Sequence, residues 1–231
     1  MCHPGCVSAR RRLHLRLLLV FALLLSGAVT ACGGEDEPRI GDPEFLTTGH
    51  ISLEDQGWVC GGKVDIDRLE VTVRHADIDA VQFGPGCTGR IGELDVTQYR
   101  QDGVKVAEGA YDLVVETGTV ECLGKKDGAH QDGVQALGGE RITFKELRID
   151  CPSATNSAFF VRQGGISENP PTDVVCDSCF FRGGAYTVRV NESLRSGIRN
   201  STVCNGKFGA VKFLDGARLP VDEGNRIVTC D

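Results

Sequence analysis

The residues best suited to chemistry lie in one short polar stretch, His130-Gln131-Asp132, with Gln135 shortly after it. His130 precedes Asp132 by two positions and Gln135 by five, so one turn and the strand after it could place all three side chains in one cleft. A histidine next to a carboxylate can carry out general acid–base catalysis near neutral pH. His130 and Asp132 are therefore candidate catalytic residues.

Arg162 and Arg189 are the candidate cationic members of such a site. Hydrolysis of a glycosidic bond normally requires two carboxyl groups that flank it, and no second acidic pair follows the His130 stretch. A polysaccharide lyase instead needs a base beside the carboxylate of a uronate and a positive charge that stabilises the resulting anion. The sequence leaves open whether the chain is an enzyme and, if so, whether it is a polysaccharide lyase or a glycoside hydrolase.

These residues belong to a repeat. Asp79-Ala-Val-Gln, Asp102-Gly-Val-Lys and Asp132-Gly-Val-Gln recur 23 and then 30 residues apart. Looser versions follow near residues 158, 186 and 210, with a second alternating run between successive units. Short segments rich in Val, Ile and Phe and separated by Gly, Asn and Asp predict β-strands rather than amphipathic helices. Such a period, with two or three strands, matches one coil of a parallel β-solenoid.

One complete coil can be read from Asp132-Gly-Val-Gln135 through Gly138-Gly139-Glu-Arg-Ile-Thr-Phe144 to Leu147-Arg-Ile-Asp150. In these segments the chain resembles the right-handed parallel β-helix of the pectate-lyase-like superfamily, over residues 46–231. The resemblance implies an all-β fold, a right-handed parallel β-helix (solenoid) of about six to seven coils. It implies less about activity, since His130-Gln131-Asp132-Gly133 matches the Asn-x-Asp-Gly of the β-helix polygalacturonases only in part.

The repeated aspartates Asp79, Asp102 and Asp132 hold one position of the coil, directly before its first strand. Some β-helix lyases hold Ca²⁺ through such carboxylates, and oxygen ligands suit that ion. The alternative is that each aspartate accepts a backbone N–H within its own turn, which would also explain why the position repeats. We expect the second arrangement; the first would make calcium a cofactor.

Alternation along the first strand of each coil separates inward from outward positions. The outward positions form a column of amides, cations and one aromatic ring: Gln82, Lys105, Gln135, Phe160, Arg189 and Lys212. Lysine and arginine pair with carboxylates, and sugar rings stack on aromatic rings, so this column is a candidate binding surface for an extended acidic polysaccharide. The alternative is that exposed strand positions of any solenoid are polar because they face water.

Export signals occupy the N-terminus. Residues 1–31 combine Arg10-Arg11-Arg12, an apolar run from Leu17 to Leu25 and small residues, as in a secretory signal peptide. Val29-Thr-Ala-Cys32 resembles the lipobox of bacterial lipoproteins. That resemblance implies that Cys32 is lipidated, that residues 32–45 form a tether, and that the protein is anchored to the outer face of the cell membrane. The alternative is ordinary secretion with Cys32 as an odd thiol.

The charge of the chain bears on its partners. The signal takes four arginines and no acidic residue from a total of 25 basic and 32 acidic residues, which leaves a net charge of −11. Nucleic-acid binding is therefore disfavoured. We expect a monomer whose partner is a polysaccharide.

Eight cysteines remain besides Cys32 and those of the signal: Cys60, Cys87, Cys122, Cys151, Cys176, Cys179, Cys204 and Cys230. An even number in an exported chain argues for disulfides. Adjacent coils of the fold that the chain resembles lie about 4.8 Å apart, which a disulfide can bridge. The gaps Cys60–Cys87, Cys122–Cys151 and Cys204–Cys230 each match one coil, which leaves Cys176 and Cys179 to pair or to remain core thiols. No metal site is expected, because this CxxC has no second CxxC and no nearby histidine.

These features favour an extracytoplasmic cell-surface protein that binds an acidic polysaccharide and could cleave it. The alternative is a non-catalytic surface scaffold or adhesin module, in which the repeats serve as a stiff rod.

Overall fold

The computed structural model describes residues 46–98, 100–123, 131–151, 156–164 and 168–230. Every helix or strand assigned in these ranges is a β-strand, as the alternating Val- and Ile-rich segments predict. The same ranges hold no helix long and apolar enough to cross a membrane. The predicted signal peptide and tether, with Cys32, and the candidate catalytic residue His130 lie outside the described residues.

The strands form two sheets. The larger sheet has 14 strands and is curled into a half-barrel; it consists of β1 (Thr47–Glu54), β3 (Lys63–Val73), β5 (Thr88–Gln98), β7 (Tyr111–Cys122), β9 (Glu140–Lys145), β10 (Leu147–Cys151), β12 (Thr172–Asp177), β13 (Phe180–Gly183), β15 (Ser193–Leu194), β16 (Gly197–Arg199), β17 (Thr202–Cys204), β19 (Ala217–Arg218), β20 (Val221–Glu223) and β21 (Arg226–Val228). The smaller sheet has seven strands and is flat; it consists of β2 (Trp58–Cys60), β4 (Val81–Phe83), β6 (Val104–Val106), β8 (Val134–Ala136), β11 (Phe159–Val161), β14 (Tyr186–Val190) and β18 (Gly209–Phe213).

The paired strands of both sheets run parallel. In the smaller sheet each strand pairs with the corresponding strand of the next sequence repeat, so Val81 pairs with Val104 and Val104 with Val134. A tight hairpin cannot join parallel neighbours. The chain instead passes through the larger sheet before it returns to the smaller one. The prediction of an all-β fold with parallel strands is confirmed.

The core lies between the two sheets and is built from the inward positions of both. In β4, alternation leaves Val81 and Phe83 fully buried, with Gln82 between them on the outer face. Phenyl rings continue the core, since the ring of Phe144 lies 6.4 Å from that of Phe83 and 6.4 Å from that of Phe159 between centroids. Complete burial of one such side chain contributes about 1.5–3 kcal/mol, so these rings are a main source of cohesion between the sheets.

Four disulfides cross-link the strands. Cys60–Cys87, Cys122–Cys151 and Cys204–Cys230 join neighbouring repeats, with Cα separations of 5.3, 4.4 and 5.5 Å. Cys176 and Cys179 also pair, with 6.1 Å between their Cα atoms. The three predicted pairings between repeats are present, and of the alternatives left open for Cys176 and Cys179 the structure has the disulfide. These cross-links are consistent with an extracytoplasmic protein.

At the N-terminal end of the stacked strands, β1 pairs only with β3. Trp58 of β2 packs edge-on against Phe83, with 6.3 Å between ring centroids. The indole therefore covers the first core ring at this end of the paired strands.

At the C-terminal end, Ile227 continues a column that is fully buried at Phe181 and Val203. Ile227 itself is 61% exposed, because β21 is the last strand of its sheet within the described part of the chain. In a second column of inward positions, Asp222 on β20 is the register partner of buried Ile198 on β16. The last repeat thus places one apolar and one charged side chain on the end of the core.

Candidate functional site

The outward column predicted from the sequence lies on the smaller sheet. Direct register partners along it are Gln82, Lys105, Gln135, Phe160, Arg189 and Lys212, in that order. Neighbouring strands lie about 4.8 Å apart, so the column spans about 24 Å. One side chain from each of six strands therefore forms a straight row on one face.

A cleft of about 300 Å³ opens at the middle of this column. Its lining residues are Gln101, Asp102, Lys105, Gln135, Leu137, Phe160, Arg162 and Gly164. Three consecutive members of the column, Lys105, Gln135 and Phe160, belong to it, and Arg162 follows directly after β11. The cleft therefore combines two cations, two amides and one carboxyl group.

The aspartates that begin each repeat form a ladder of hydrogen bonds between repeats. Asp79 Oδ1 accepts the backbone N–H of Asp102 at 3.3 Å, and Asp102 Oδ1 accepts that of Asp132 at 2.8 Å. Asp132 Oδ1 continues the series by accepting the N–H of Ser157 at 2.8 Å. The prediction that each aspartate caps its own turn is wrong in this respect: its oxygen reaches the next repeat, because parallel strands place equivalent residues side by side.

Two of these aspartates are followed by glycine because the backbone of the next repeat lies very close at that position. A Cβ atom on Gly103 would lie 2.6 Å from the backbone oxygen of Gly133, and one on Gly133 would lie 2.5 Å from that of Ala158. Only glycine allows the backbones to approach so closely. The Asp-Gly-Val motif therefore reflects the stacking of repeats.

The three aspartates of the ladder differ in what their Oδ2 atoms contact. Asp79 Oδ2 lies 2.9 Å from Nζ of Lys105, and Asp132 Oδ2 accepts a hydrogen bond from Nε2 of Gln135 at 3.0 Å. Asp102 Oδ2 has no hydrogen-bond donor among the described residues. Asp102 is only 4% exposed, and it is the ladder member that lines the cleft.

Burial raises the pKa of Asp102 from its ordinary value of 3.8 to about 7, and the negative charges of Asp132 and Asp79 act in the same direction. The backbone N–H of Asp132 and the charge of Lys105 lower that pKa and offset the rise in part. A carboxyl group with such a pKa can both accept and donate a proton near neutrality. Asp102 is therefore the group in the cleft best placed for proton transfer.

Phe160 does not offer its ring to a ligand. It is 2% exposed, because guanidinium groups cover it: the Cζ atom of Arg189 lies 4.9 Å from the ring centroid and that of Arg162 lies 6.0 Å away. The ring supports the two cations through cation–π contact. The prediction that a sugar stacks on Phe160 is corrected accordingly, and Gln135, only 6% exposed, is likewise less accessible than an outward strand position predicts.

Most arginines on or beside the larger sheet are engaged in ion pairs, whereas Arg218 and Arg226 have no carboxylate partner among the described residues. Those with a carboxylate partner on or beside this sheet are Arg68, Arg90, Arg141, Arg148, Arg182, Arg195 and Arg199. Arg141, for example, donates from Nη2 to Oδ2 of Asp112 at 3.0 Å and lowers the pKa of that carboxyl. Charges on this sheet are therefore largely compensated within the protein.

Most cations on or beside the smaller sheet, by contrast, are not engaged in ion pairs. Among the described residues, Arg162, Arg189 and Lys212 have no carboxylate within ion-pair distance. Lys212 lies 4.6 Å from the ring centroid of Tyr186, and Nε of Arg189 is buried without a hydrogen-bond partner. A positive strip thus accompanies the cleft.

The structure brings some predicted site residues together and separates others. Lys105, Gln135 and Arg162 meet in the cleft, whereas Gln82, Arg189 and Lys212 belong to the column without lining the cleft. Asp132 is fully buried and bonded through both carboxylate oxygens.

Asp102 is the functional candidate that the sequence reasoning missed. The only signal for it is its place as the middle of three aspartates, which predicts crowding of negative charge once the repeats are stacked.

No group of three or more His, Cys, Asp or Glu side chains within the described ranges is placed to hold a metal ion. In the ladder, one oxygen of each aspartate is already bonded to a backbone N–H. The ladder therefore does not fit the calcium site that the resemblance suggests.

Comparison of the chain with protein-family models, with curated proteins and with solved structures gives no match.

Proposed function

We propose that the protein binds an acidic polysaccharide along the smaller sheet, with the outward column and the cleft as its contact surface. The column is straight because its members are direct register partners on successive parallel strands. An extended chain that carries a negative charge at each unit can follow such a row. Its carboxylates would pair with Arg162, Arg189 and Lys212.

One observation carries this proposal: Arg162, Arg189 and Lys212 lack carboxylate partners among the described residues, although the chain has a net charge of −7. Acidic side chains are abundant, and they compensate most arginines of the larger sheet instead. Arginine holds a carboxylate through paired hydrogen bonds, and hydrogen bonds to charged groups contribute about 1.5–3 kcal/mol. A polyanion supplies the missing partners.

The fold that suits this function is a right-handed parallel β-helix of about six to seven coils over residues 46–231. Two features support it: the chain alternates between the sheets, and partner strands come from successive sequence repeats. A stack of coils would present the same face at every level, which an extended ligand requires.

We place the protein outside the cytoplasm, anchored by a lipid on Cys32 with residues 32–45 as a tether. The four disulfides support export, because disulfides persist in oxidising compartments. Metabolic labelling with a radioactive fatty acid tests the anchor. The label should be incorporated into the wild-type chain and lost in the Cys32→Ser variant.

Binding is tested by calorimetry with oligomers of polygalacturonate and alginate. Arg162→Ala and Arg189→Ala should each weaken binding about tenfold, which corresponds to 1.4 kcal/mol. The matched control is Arg141→Ala, because Arg141 is compensated by Asp112 on the other sheet. Equal losses in all three variants, or no binding of either oligomer by the wild type, would reject the proposal.

Cleavage is a separate question, for which His130, Asp132, Arg162 and Arg189 are the candidates from the sequence and Asp102 the candidate from the cleft. A polysaccharide lyase releases unsaturated products that absorb in the ultraviolet. Product release that disappears in the His130→Ala or Asp102→Asn variant would identify an enzyme. Binding without release of unsaturated products or of new reducing ends would identify a binding module.

The second candidate function is a non-catalytic scaffold or adhesin module. The observation in its favour is the density of cross-links, since three disulfides and several arginine–carboxylate pairs join neighbouring repeats. Such a body suits a stiff spacer. Absence of binding to any acidic glycan would favour it.

A further inference from the structure

We propose that Asp102 shares a proton with a carboxylate of the bound polysaccharide, so that the cleft takes up its ligand together with a proton. The inference rests on the proposed function, because it concerns the same cleft and the same acidic ligand.

Asp102 lines the same cavity as the cations that would bind a carboxylate of the ligand. Arg162 and Lys105 line the same cleft and would draw a ligand carboxylate toward them. Lys105 is already engaged by Asp79, which leaves Arg162 as the cleft cation without a carboxylate partner among the described residues. The carboxylate that pairs with Arg162 therefore enters a cavity of about 300 Å³ that Asp102 also lines.

The two carboxylate oxygens of Asp102 differ in their hydrogen bonds. Oδ1 is fixed by the backbone N–H of Asp132 at 2.8 Å, so the carboxyl group cannot rotate away without loss of that bond. Oδ2 has no donor among the described residues. A proton on Oδ2 would be donated to the oxygen of the ligand, and an O–H···O⁻ hydrogen bond of this kind is short and strong.

The charges that face Asp102 explain why the proton is needed. Asp79 and Asp132 flank it on the neighbouring repeats, while Lys105 and Arg162 supply the positive charge of the cleft. A second ionised carboxylate beside a buried, ionised Asp102 would be repelled in a site of low dielectric. Burial and the neighbouring aspartates already raise the pKa of Asp102 to about 7, so the neutral form is accessible at physiological pH.

Calorimetry with oligogalacturonate tests the inference on the wild-type protein. Titrations at pH 7.5 in two buffers with very different ionisation enthalpies report the number of protons taken up on binding. We expect proton uptake, and an affinity that falls up to about tenfold for each pH unit above the pKa of the free carboxyl. A sulfated oligosaccharide is the comparison ligand, because a sulfate ester is too weak a base to share a proton.

The Asp102→Asn variant supplies the second arm. Asparagine keeps an oxygen for the N–H of Asp132 and presents an amide N–H in place of the proton. We expect it to bind oligogalacturonate without proton uptake and with little change in affinity between pH 6 and 9. Asp112→Asn is the matched control, since that exposed carboxylate pairs with Arg141 on the other sheet, and it should behave as the wild type.

The outcomes separate the inference from the proposed function. Binding without proton uptake by the wild type overturns the inference and leaves the function standing. An Asp102→Asn variant that keeps the wild-type pH dependence also overturns it. Absence of binding to both carboxylated and sulfated oligomers rejects the proposed function, and the inference with it. Because the buffer comparison uses the wild type, the test does not depend on the folding of the variant.

Discussion

Lys105 pairs with Asp79 of the preceding repeat and not with Asp102, three positions before it in its own repeat; its Nζ lies 2.9 Å from Oδ2 of Asp79. This choice leaves Asp102 as the ladder member whose second oxygen has no donor among the described residues. The pair between Lys105 and Asp79 therefore determines which carboxyl of the ladder is open to the cleft.

Removal of the lysine charge tests this relationship. The charge of Lys105 lowers the pKa of Asp102, so Lys105→Met should raise that pKa above its value of about 7. A pH titration of the Asp102 carboxyl carbon by NMR measures the change. Lys212→Met, on the same column but four strands away from Lys105, should leave the titration where it is. A pKa that stays the same or falls in Lys105→Met would contradict the assignment.

Stability should fall as the pH rises from about 4 to 7, because the folded state holds a proton on Asp102 that the unfolded chain has released. Above pH 7 the ionised, buried carboxyl costs up to about 4 kcal/mol, at 1.36 kcal/mol for each unit of pKa shift. Urea unfolding at pH 5 and pH 8, with the disulfides intact, measures the difference.

Asp102→Asn isolates this contribution. The advantage of the variant in stability over the wild type should grow between pH 5 and pH 8, because the wild type loses stability over that range and the variant does not. Asp55, Asp112 and Asp177 do not interfere, because their pKa values are lowered and their stabilising effect is lost only below pH 3.8. Parallel curves for the two proteins from pH 5 to 8 would show that Asp102 is ionised in both states.

Phe160→Ala should cost about 3–5 kcal/mol in the free energy of unfolding, although the ring lies at an outward strand position. The reason is its burial at 2% exposure beneath Arg189 and Arg162. The control is Phe208→Ala, which removes a ring that is 62% exposed and should change stability by less than about 0.5 kcal/mol. Similar small losses in both variants would mean that Phe160 is accessible after all.

The disulfides should contribute unequally. Cys60–Cys87 closes a loop with a sequence separation of 27, for which chain entropy predicts about 3.5 kcal/mol. Cys176–Cys179, with a separation of 3, should contribute only about 1.5 kcal/mol by the same reasoning. Urea unfolding of the two paired Cys→Ala variants measures both values. A larger loss for the short loop would show that packing of the buried sulfurs outweighs loop entropy.

Residue alternation was enough to predict which side chains share a face of the smaller sheet. Gln82, Lys105 and Gln135 lie in register because each occupies the middle of a Val-x-apolar strand, and strand geometry leaves no other place for them. The one-repeat disulfides follow from the same periodicity. These properties depend on local pattern and on the repeat length, both of which the sequence contains.

Accessibility and electrostatics could not be predicted in the same way. Phe160 is buried because Arg189 lies over its ring, and that contact joins side chains of different repeats. The raised pKa of Asp102 likewise depends on aspartates 23 and 30 residues away that become neighbours only after stacking. Backbone conformation adds a third case, since Asp112, Arg141 and Asp173 all have positive φ angles, near 50°, although none is glycine.

A disulfide lies near each end of the paired strands. Cys60 lies on β2, the edge strand of the smaller sheet at one end, and Cys230 follows β21, an edge strand of the larger sheet at the other. Unfolding of parallel strands is expected to begin at an edge strand, because such a strand is hydrogen-bonded to a neighbour on one side only. Cys87 and Cys204 tie these strands to the next repeat inward, so unzipping from either end must stop there until a thiol reagent opens the bond. Reduction should therefore change unfolding from a single cooperative transition to one in which the strands at the two ends unfold first.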